Sequence, residues 1–211
     1  LKNIAIYGAG GFGRETALLI HQINAQQPSW NILGFFDDGL ATGSVVDGLP
    51  VLGGMKEAKN HVGSMVIAVA DPSTRKHIAS QLTDKDFPIM VHPTAQLGAA
   101  HYNSIERGCI ITAGVILTTH IRLAEFCIVN LDTTIGHDVS LGAYATIMPG
   151  CSISGNVRIG QGVLLGTGAR MLQNISIGDH ATIGAGAVVT KDCPPGATWV
   201  GVPAMPMKKS K

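Results

Sequence analysis

The sequence predicts two architectures in succession: an α/β domain of βαβ type over residues 1–91, then a parallel β-helix over residues 92–211. Three observations carry this reading. A short apolar strand near the N-terminus runs straight into a glycine-rich turn and a helix-spaced segment. Helical spacing stops after His92-Pro93. Beyond that point large aliphatic residues recur every six positions almost to the end of the chain.

In the first domain, Ile4 to Tyr7 is the opening strand and Gly8-Ala9-Gly10-Gly11-Phe12-Gly13 follows at once. Arg14 to Gln26 has helical spacing, with Ala17, Leu18, Ile20 and His21 on the apolar side. Ile32 to Phe36 forms a second strand ending at Asp37-Asp38-Gly39, Met65 to Val69 a third, and Arg75 to Leu82 a further helix. The β-α-β-α order predicts a small parallel sheet with helices on its faces.

In the second domain, stepping by six from Ile105 reaches Ile111, Leu117, Leu123, Val129, Ile135 and onward to Val189, all aliphatic or Met. The same step from Cys109 meets only small or β-branched residues as far as Cys193. Each hexapeptide reads as one flat strand plus a corner. Three hexapeptides close one triangular coil, so fifteen hexads make five coils. A coil cannot bury its own core, so stability comes from stacking. Glycine often follows the aliphatic position, as at Gly136, Gly142, Gly160 and Gly166, and is read as relaxing the corner. Pro194-Pro195 is expected to end the regular coils, since proline cannot donate to the ladder. All four cysteines fall on the small inward position and read as packing groups, reduced and pointing inward.

Composition excludes several classes. Apolar residues make up 45% of the 211 and charged residues 14%, which is neither disordered nor coiled coil. A formal charge of +1 offers no basic field for nucleic acid. No apolar stretch is long enough to cross a bilayer and no signal peptide opens the chain, so the expectation is a cytoplasmic protein without membrane contact.

The hexapeptide array resembles the left-handed β-helix of hexapeptide-repeat acyltransferases. With the N-terminal unit added, the chain resembles bacterial enzymes that acetylate nucleotide-linked amino sugars or sialic acid. The segments carrying the resemblance are Tyr7 to Gly13, Phe36-Asp37-Asp38, Ile135-Gly136-His137-Asp138, Ile183 to Asp192 and Gly201-Val202-Pro203-Ala204. The resemblance implies transfer of an acetyl group from acetyl-CoA to an amine or hydroxyl of a sugar, by direct attack. It also implies a homotrimer, with acetyl-CoA held along the outer edge of the helix between two subunits. Exposed apolar corners such as Tyr144 and Leu172 are a further expectation that suits assembly. A non-catalytic nucleotide-sugar-binding regulator is the alternative.

His137 is the implied general base and Asp138 the group that orients it. His120 lies three hexads before Asp138, and so one coil earlier near the same edge. Carried over by position, CoA contacts fall on Thr146, Thr167 and Ala185, with Lys208 and Lys209 as candidates for its phosphates. The glycine loop is a GxGxxG pattern in a Rossmann-like strand–turn–helix setting, where backbone N–H groups receive a phosphate. It reads locally as dinucleotide-binding, whereas the resemblance implies a nucleotide sugar. Gly10, Gly11, Phe12, Asp37 and Asp38 are the candidate contacts, with Arg75 either a phosphate-binding cation or a solvated helix residue. No metal-ligand spacing accompanies the histidines, so no catalytic metal is expected.

Overall fold

A computed structural model describes residues 1–207, arranged as two compact units that divide between Pro93 and Thr94. The first unit is a five-stranded sheet. Its elements are β1 (Lys2–Tyr7), α1 (Gly11–Gln26), β2 (Trp30–Phe36), β3 (Val45–Val46), β4 (Leu49–Gly53), α2 (Met55–Asn60), β5 (Ser64–Ile67) and α3 (Pro72–Gln81). The order is β3-β4-β2-β1-β5, parallel apart from the β3–β4 hairpin. Central β1 is buried from Ile4 to Tyr7, as a strand with neighbours on both sides requires.

Two helix starts differ from expectation for local reasons. Helix α1 begins at Gly11 and buries Gly13, Thr16, Ala17 and Ile20, a run spaced by three and four. That stripe turns Leu18 outward, 56% exposed, and buries Leu19 instead. Helix α3 begins at Pro72, ahead of the expected Arg75. Asp71 caps it by accepting the Thr74 N–H at 2.7 Å, and Pro72 occupies a first-turn position where no N–H is missed.

The second unit is a β-helix. Fifteen two-residue strands from Ser104–Ile105 to Val188–Val189 stack on three faces, each strand pairing with the one three hexads before it. The first face carries Ser104–Ile105, Arg122–Leu123, Ser140–Leu141, Arg158–Ile159 and Ser176–Ile177. The second runs from Ile110–Ile111 to Thr182–Ile183. The third runs from Ile116–Leu117 to Val188–Val189 and holds Leu117, Ile135 and Ile153 in one column. Backbone N–H groups bond the coil above, as in Thr134 N to Cys151 O at 3.0 Å. Burying each of these aliphatic residues contributes roughly 1.5–3 kcal/mol.

Corner geometry corrects the role given to glycine. The residue with positive φ lies three places after the aliphatic one: His120, Phe126, Asp132, Asp138, Tyr144, Asn156, Asn174 and His180 all have φ between 54° and 62°. Gly150, Gly162, Gly168 and Gly186 fill the same place in other hexads. The glycine directly after the aliphatic residue is there for clearance. A Cβ on Gly142 would stand 2.5 Å from the backbone N of Gln161 in the next coil, and one on Gly166 2.5 Å from that of Ala185.

The four cysteines are free and buried, and Cys109, Cys127 and Cys151 each donate Sγ–H to a carbonyl further along the chain at 3.2 Å. Tyr144 is not an exposed corner: it stacks on Phe126 with ring centroids 5.3 Å apart and is 9% exposed. Leu172 is exposed, at 47%.

From Cys193, directly before Pro194-Pro195, the regular offset shortens, and one closing coil caps all three faces. Cys193 bridges Ile177, and Thr198–Val200 pairs with Thr182–Ile183, both by a step slightly shorter than a full coil. Gly201 accepts the Val188 N–H. Met205–Pro206 then returns antiparallel on Thr198–Val200. No helix among the described residues is long and apolar enough to cross a membrane.

Candidate active site

The site begins with a corner between the third and first faces. Ile135 ends a third-face strand, and Gly136 lets the next coil approach, since a Cβ there would meet the Gly155 N at 2.8 Å. His137 projects from the corner, and Asp138 turns the chain with φ 60°. That left-handed conformation is tolerated by Asp, Asn and Gly. It also swings the carboxylate back beside the preceding side chain, so that Asp138 Oδ2 lies 2.7 Å from His137 Nδ1. The turn is thus how an acid shorter than Glu reaches the imidazole. With Nδ1–H donated to the carboxylate, Nε2 is left as the unprotonated nitrogen, as a base requires.

Backbone bonds hold the pair from both sides. Asp138 donates its N–H to Thr119 O at 3.0 Å, and His137 O accepts the Asn156 N–H at 2.8 Å. The ring also lies against Gly155 one coil on, where a Cβ would stand 2.4 Å from Nε2 and 2.5 Å from Cε1. Both side chains remain accessible, at 62% and 55%.

His120 falls in the column of Asp138, not of His137, and has the same left-handed φ. Its Nδ1 lies 3.0 Å from Thr119 Oγ1, and Tyr102 packs against its ring with centroids 4.9 Å apart. The two histidines therefore neighbour one edge but occupy different columns.

The residues expected at CoA separate. Thr167 and Ala185 are exposed and share a column at the corner between the second and third faces. Thr146 stands in a second-face strand and is fully buried, so its place as an exposed contact is corrected. The dyad and the Thr167–Ala185 column thus occupy two different edges of one prism. Lys208 and Lys209 lie outside the described residues.

In the first unit the glycine loop makes a tight helix–strand junction. A Cβ on Gly13 would fall 1.9 Å from Gly8 O, and Gly8 has φ 103°. Gly10 and Gly11 face open space, and Phe12 is half-buried beside them. Asp37 is drawn into the loop, accepting the Ala9 N–H at 2.8 Å and the Gly39 N–H at 2.9 Å. Asp38 accepts the Tyr7 hydroxyl at 2.5 Å and the Met55 N–H at 2.7 Å. The Tyr7 bond, then the Met55 N–H, holds the Asp38 carboxyl below its usual range. Burial, then the bond to Asp38, pushes the Tyr7 phenol up.

Arg75 is neither a surface cation nor a solvated helix residue. It is fully buried, and its guanidinium donates to Val69 O at 2.6 Å and Ala70 O at 3.0 Å, tying down the segment after β5. Among the described residues no group of three or more His, Cys, Asp or Glu is placed to hold a metal.

Sequence reasoning missed Gly155, Tyr7 and Tyr102. Only its place one coil after His137 signals the first.

A stacked hexapeptide prism with an accessible His–Asp pair on one edge defines an acyltransferase of the hexapeptide-repeat class. The chain matches the PglD N-terminal domain over residues 3–82 and the bacterial transferase hexapeptide (six repeats) over residues 156–191. It is 34% identical over 155 residues to GDP-perosamine N-acetyltransferase of Escherichia coli O157:H7, covering 69% of this chain and 66% of that protein. The acetyltransferase domain of PglB from Neisseria gonorrhoeae FA1090, solved with acetyl coenzyme A, is 32% identical, with a TM-score of 0.87 over 97% of this chain and 98% of that one. PerB from Caulobacter crescentus, solved with CoA and GDP-perosamine, is 25% identical, with a TM-score of 0.87 over 98% and 97%. The chain belongs to the family of bacterial hexapeptide-repeat sugar acetyltransferases with a PglD-type N-terminal domain, and its helix is the left-handed β-helix of that family.

Proposed function

We propose that the protein transfers the acetyl group of acetyl-CoA to the amino group of a nucleotide-linked amino sugar. The observation that carries this is the 2.7 Å contact between His137 Nδ1 and Asp138 Oδ2 on an accessible edge. A thioester is already activated, so the enzyme has to align it with the acceptor and remove a proton. The amine attacks the thioester carbonyl, His137 Nε2 takes the amine proton, and the carbon–sulfur bond breaks to release CoA. Asp138 orients the imidazole and stabilises its charged form. A backbone N–H at a nearby corner stabilises the oxyanion. Transfer is direct, without a thiol nucleophile: all four cysteines are buried.

An amine acceptor is favoured over a hydroxyl because one named relative is an N-acetyltransferase and another was solved with GDP-perosamine. Gly10, Gly11, Phe12, Asp37 and Asp38 are the proposed contacts of the sugar nucleotide, and Thr167 and Ala185 those of CoA. A co-substrate that meets both the Thr167–Ala185 edge and the dyad has to lie between two copies, because one prism puts these on different edges. This supports a homotrimer, and acetyl-CoA as donor supports a cytoplasmic reaction. The test is CoA release against a panel of nucleotide-linked amino sugars. Release with at least one acceptor, abolished in His137→Ala, is expected. No release with any acceptor defeats the reading in favour of a nucleotide-sugar-binding regulator.

A further inference from the structure

A groove of about 290 Å³ opens on the first face of the prism, against the dyad corner. The outward positions of that face alternate in register as Ser104, Arg122, Ser140, Arg158 and Ser176. Arg122 and Arg158 both line the groove with Ser140 between them, and Tyr102, His120, Asn156 and Asp138 are among its other walls. Coils stack at about 4.8 Å, so the two arginines start roughly 10 Å apart, with only a serine side chain between. Both are exposed, and among the described residues neither has an ion-pair partner. Arg107 is the contrast: its guanidinium closes on Glu125 at 3.0 Å.

Two unneutralised guanidiniums lining one concavity repel each other and match an anion placed between them. The guanidinium fork suits phosphate oxygens bidentately. The remaining groups sort by chemistry. Ser140 adds a hydroxyl donor between the forks. Asn156 donates to Asn174 at 2.8 Å and keeps its own amide oxygen for a ligand hydroxyl. Tyr102 is 51% exposed at the groove's end, its ring packed between those of His101 and His120, which leaves its hydroxyl as a polar group there. The Asp138 carboxylate on the rim is turned to His137 and repels an anion from the corner itself, which directs it onto the arginines.

We infer that this groove binds the diphosphate of a nucleotide-bearing co-substrate, on the face that adjoins the dyad corner. The inference rests on the acetyl-transfer reading only for why a diphosphate comes to this edge. Either source of that chemistry, the ADP portion of CoA or the diphosphate of the sugar nucleotide, fits the same two forks.

The experiment reads binding without turnover. Isothermal titration calorimetry on the full chain uses CoA and ADP as one pair of probes and UDP and GDP as the other. Arg122→Gln/Arg158→Gln should weaken at least one pair by about 10–100-fold, as loss of charged hydrogen bonds does. The salt dependence of that binding should flatten at the same time. Loss confined to CoA and ADP names the donor as occupant; loss confined to UDP or GDP names the sugar nucleotide; loss of both names a shared subsite. Arg170→Gln, on the third face, is the control and should leave every Kd unchanged. Kd values within twofold of wild type for all four probes in the double variant overturn the site. An equal loss in Arg170→Gln overturns it as well, by showing a general effect of charge. Because no acetyl transfer is measured, a failed activity assay and a failed binding site are told apart.

Discussion

Gly155→Ala is the sharpest perturbation of the dyad, because it acts on the imidazole through a single methyl group. Gly155 does not have positive φ, so alanine fits the backbone there. The new Cβ would stand 2.4 Å from Nε2, 2.5 Å from Cε1 and 2.9 Å from Cδ2 of His137. Ordinary contact begins at 3.4 Å, so the ring has to retreat by about 1 Å. A displacement of that size at a reacting group costs on the order of 10²-fold in rate. That corresponds to about 2.7 kcal/mol of transition-state stabilisation. The imidazole is largely solvent-exposed and free to move, so the melting temperature should stay close to wild type. Steady-state CoA release, with circular dichroism melts in parallel, measures both. Retained kcat/KM within threefold of wild type would refute the argument that ring position against Gly155 is needed. A large fall in melting temperature would refute the argument that only the ring yields.

His137→Ala should lower acetyl transfer by about 10²–10⁴-fold while Kd for acetyl-CoA holds. Asp138→Asn should cost less, since it weakens the base without deleting it, and an equal loss in His120→Ala would move the assignment to the other histidine. Burial pushes the Cys151 thiol up to about 11 and that of Cys193 likewise, so at neutral pH both stay protonated. No thiol should then react with a disulfide reagent until denaturant is added, and fast labelling of the native protein contradicts this. Gly142→Ala forces a Cβ onto the Gln161 backbone N at 2.5 Å, where no side chain can swing aside. It should destabilise by about 1–3 kcal/mol on urea unfolding, and an unchanged midpoint would undo the clearance role of these glycines. Sedimentation should find a homotrimer, whereas a fully active monomer at micromolar concentration excludes assembly at the site.

The six-residue period was legible because it reports burial directly: every aliphatic step from Ile111 to Val189 points into the prism. The corners were not, since a glycine looks the same in sequence whether it supplies positive φ or clearance. Only coordinates separate Gly150, which turns the chain, from Gly142, which makes room. Some signals were present and passed over. Asp71-Pro72 is a helix start, and Asp47-Gly48, with φ 45° and 79°, is the turn of the β3–β4 hairpin. Others lie beyond local pattern. Alternation puts Thr146 outside the prism and helix position leaves Arg75 at a surface, yet tertiary packing buries both. The dyad was readable as two adjacent letters, but its contact depends on the left-handed turn at Asp138.

The closing coil has a bearing on solubility. A stack of parallel coils is a shape without a natural end: its last rung presents the same pattern that received the rung before, and a second molecule could continue it into a fibre. Here the terminal rung is built from Pro194, Pro195, Pro203 and Pro206, none of which has an N–H to offer. Met205–Pro206 folds back antiparallel over Thr198–Val200 and takes up the remaining edge on the second face. An incoming strand therefore meets neither the register nor the donors that the five coils below repeat. The segment from Pro194 to Met207 acts as a stopper, making a repetitive polymer motif finite.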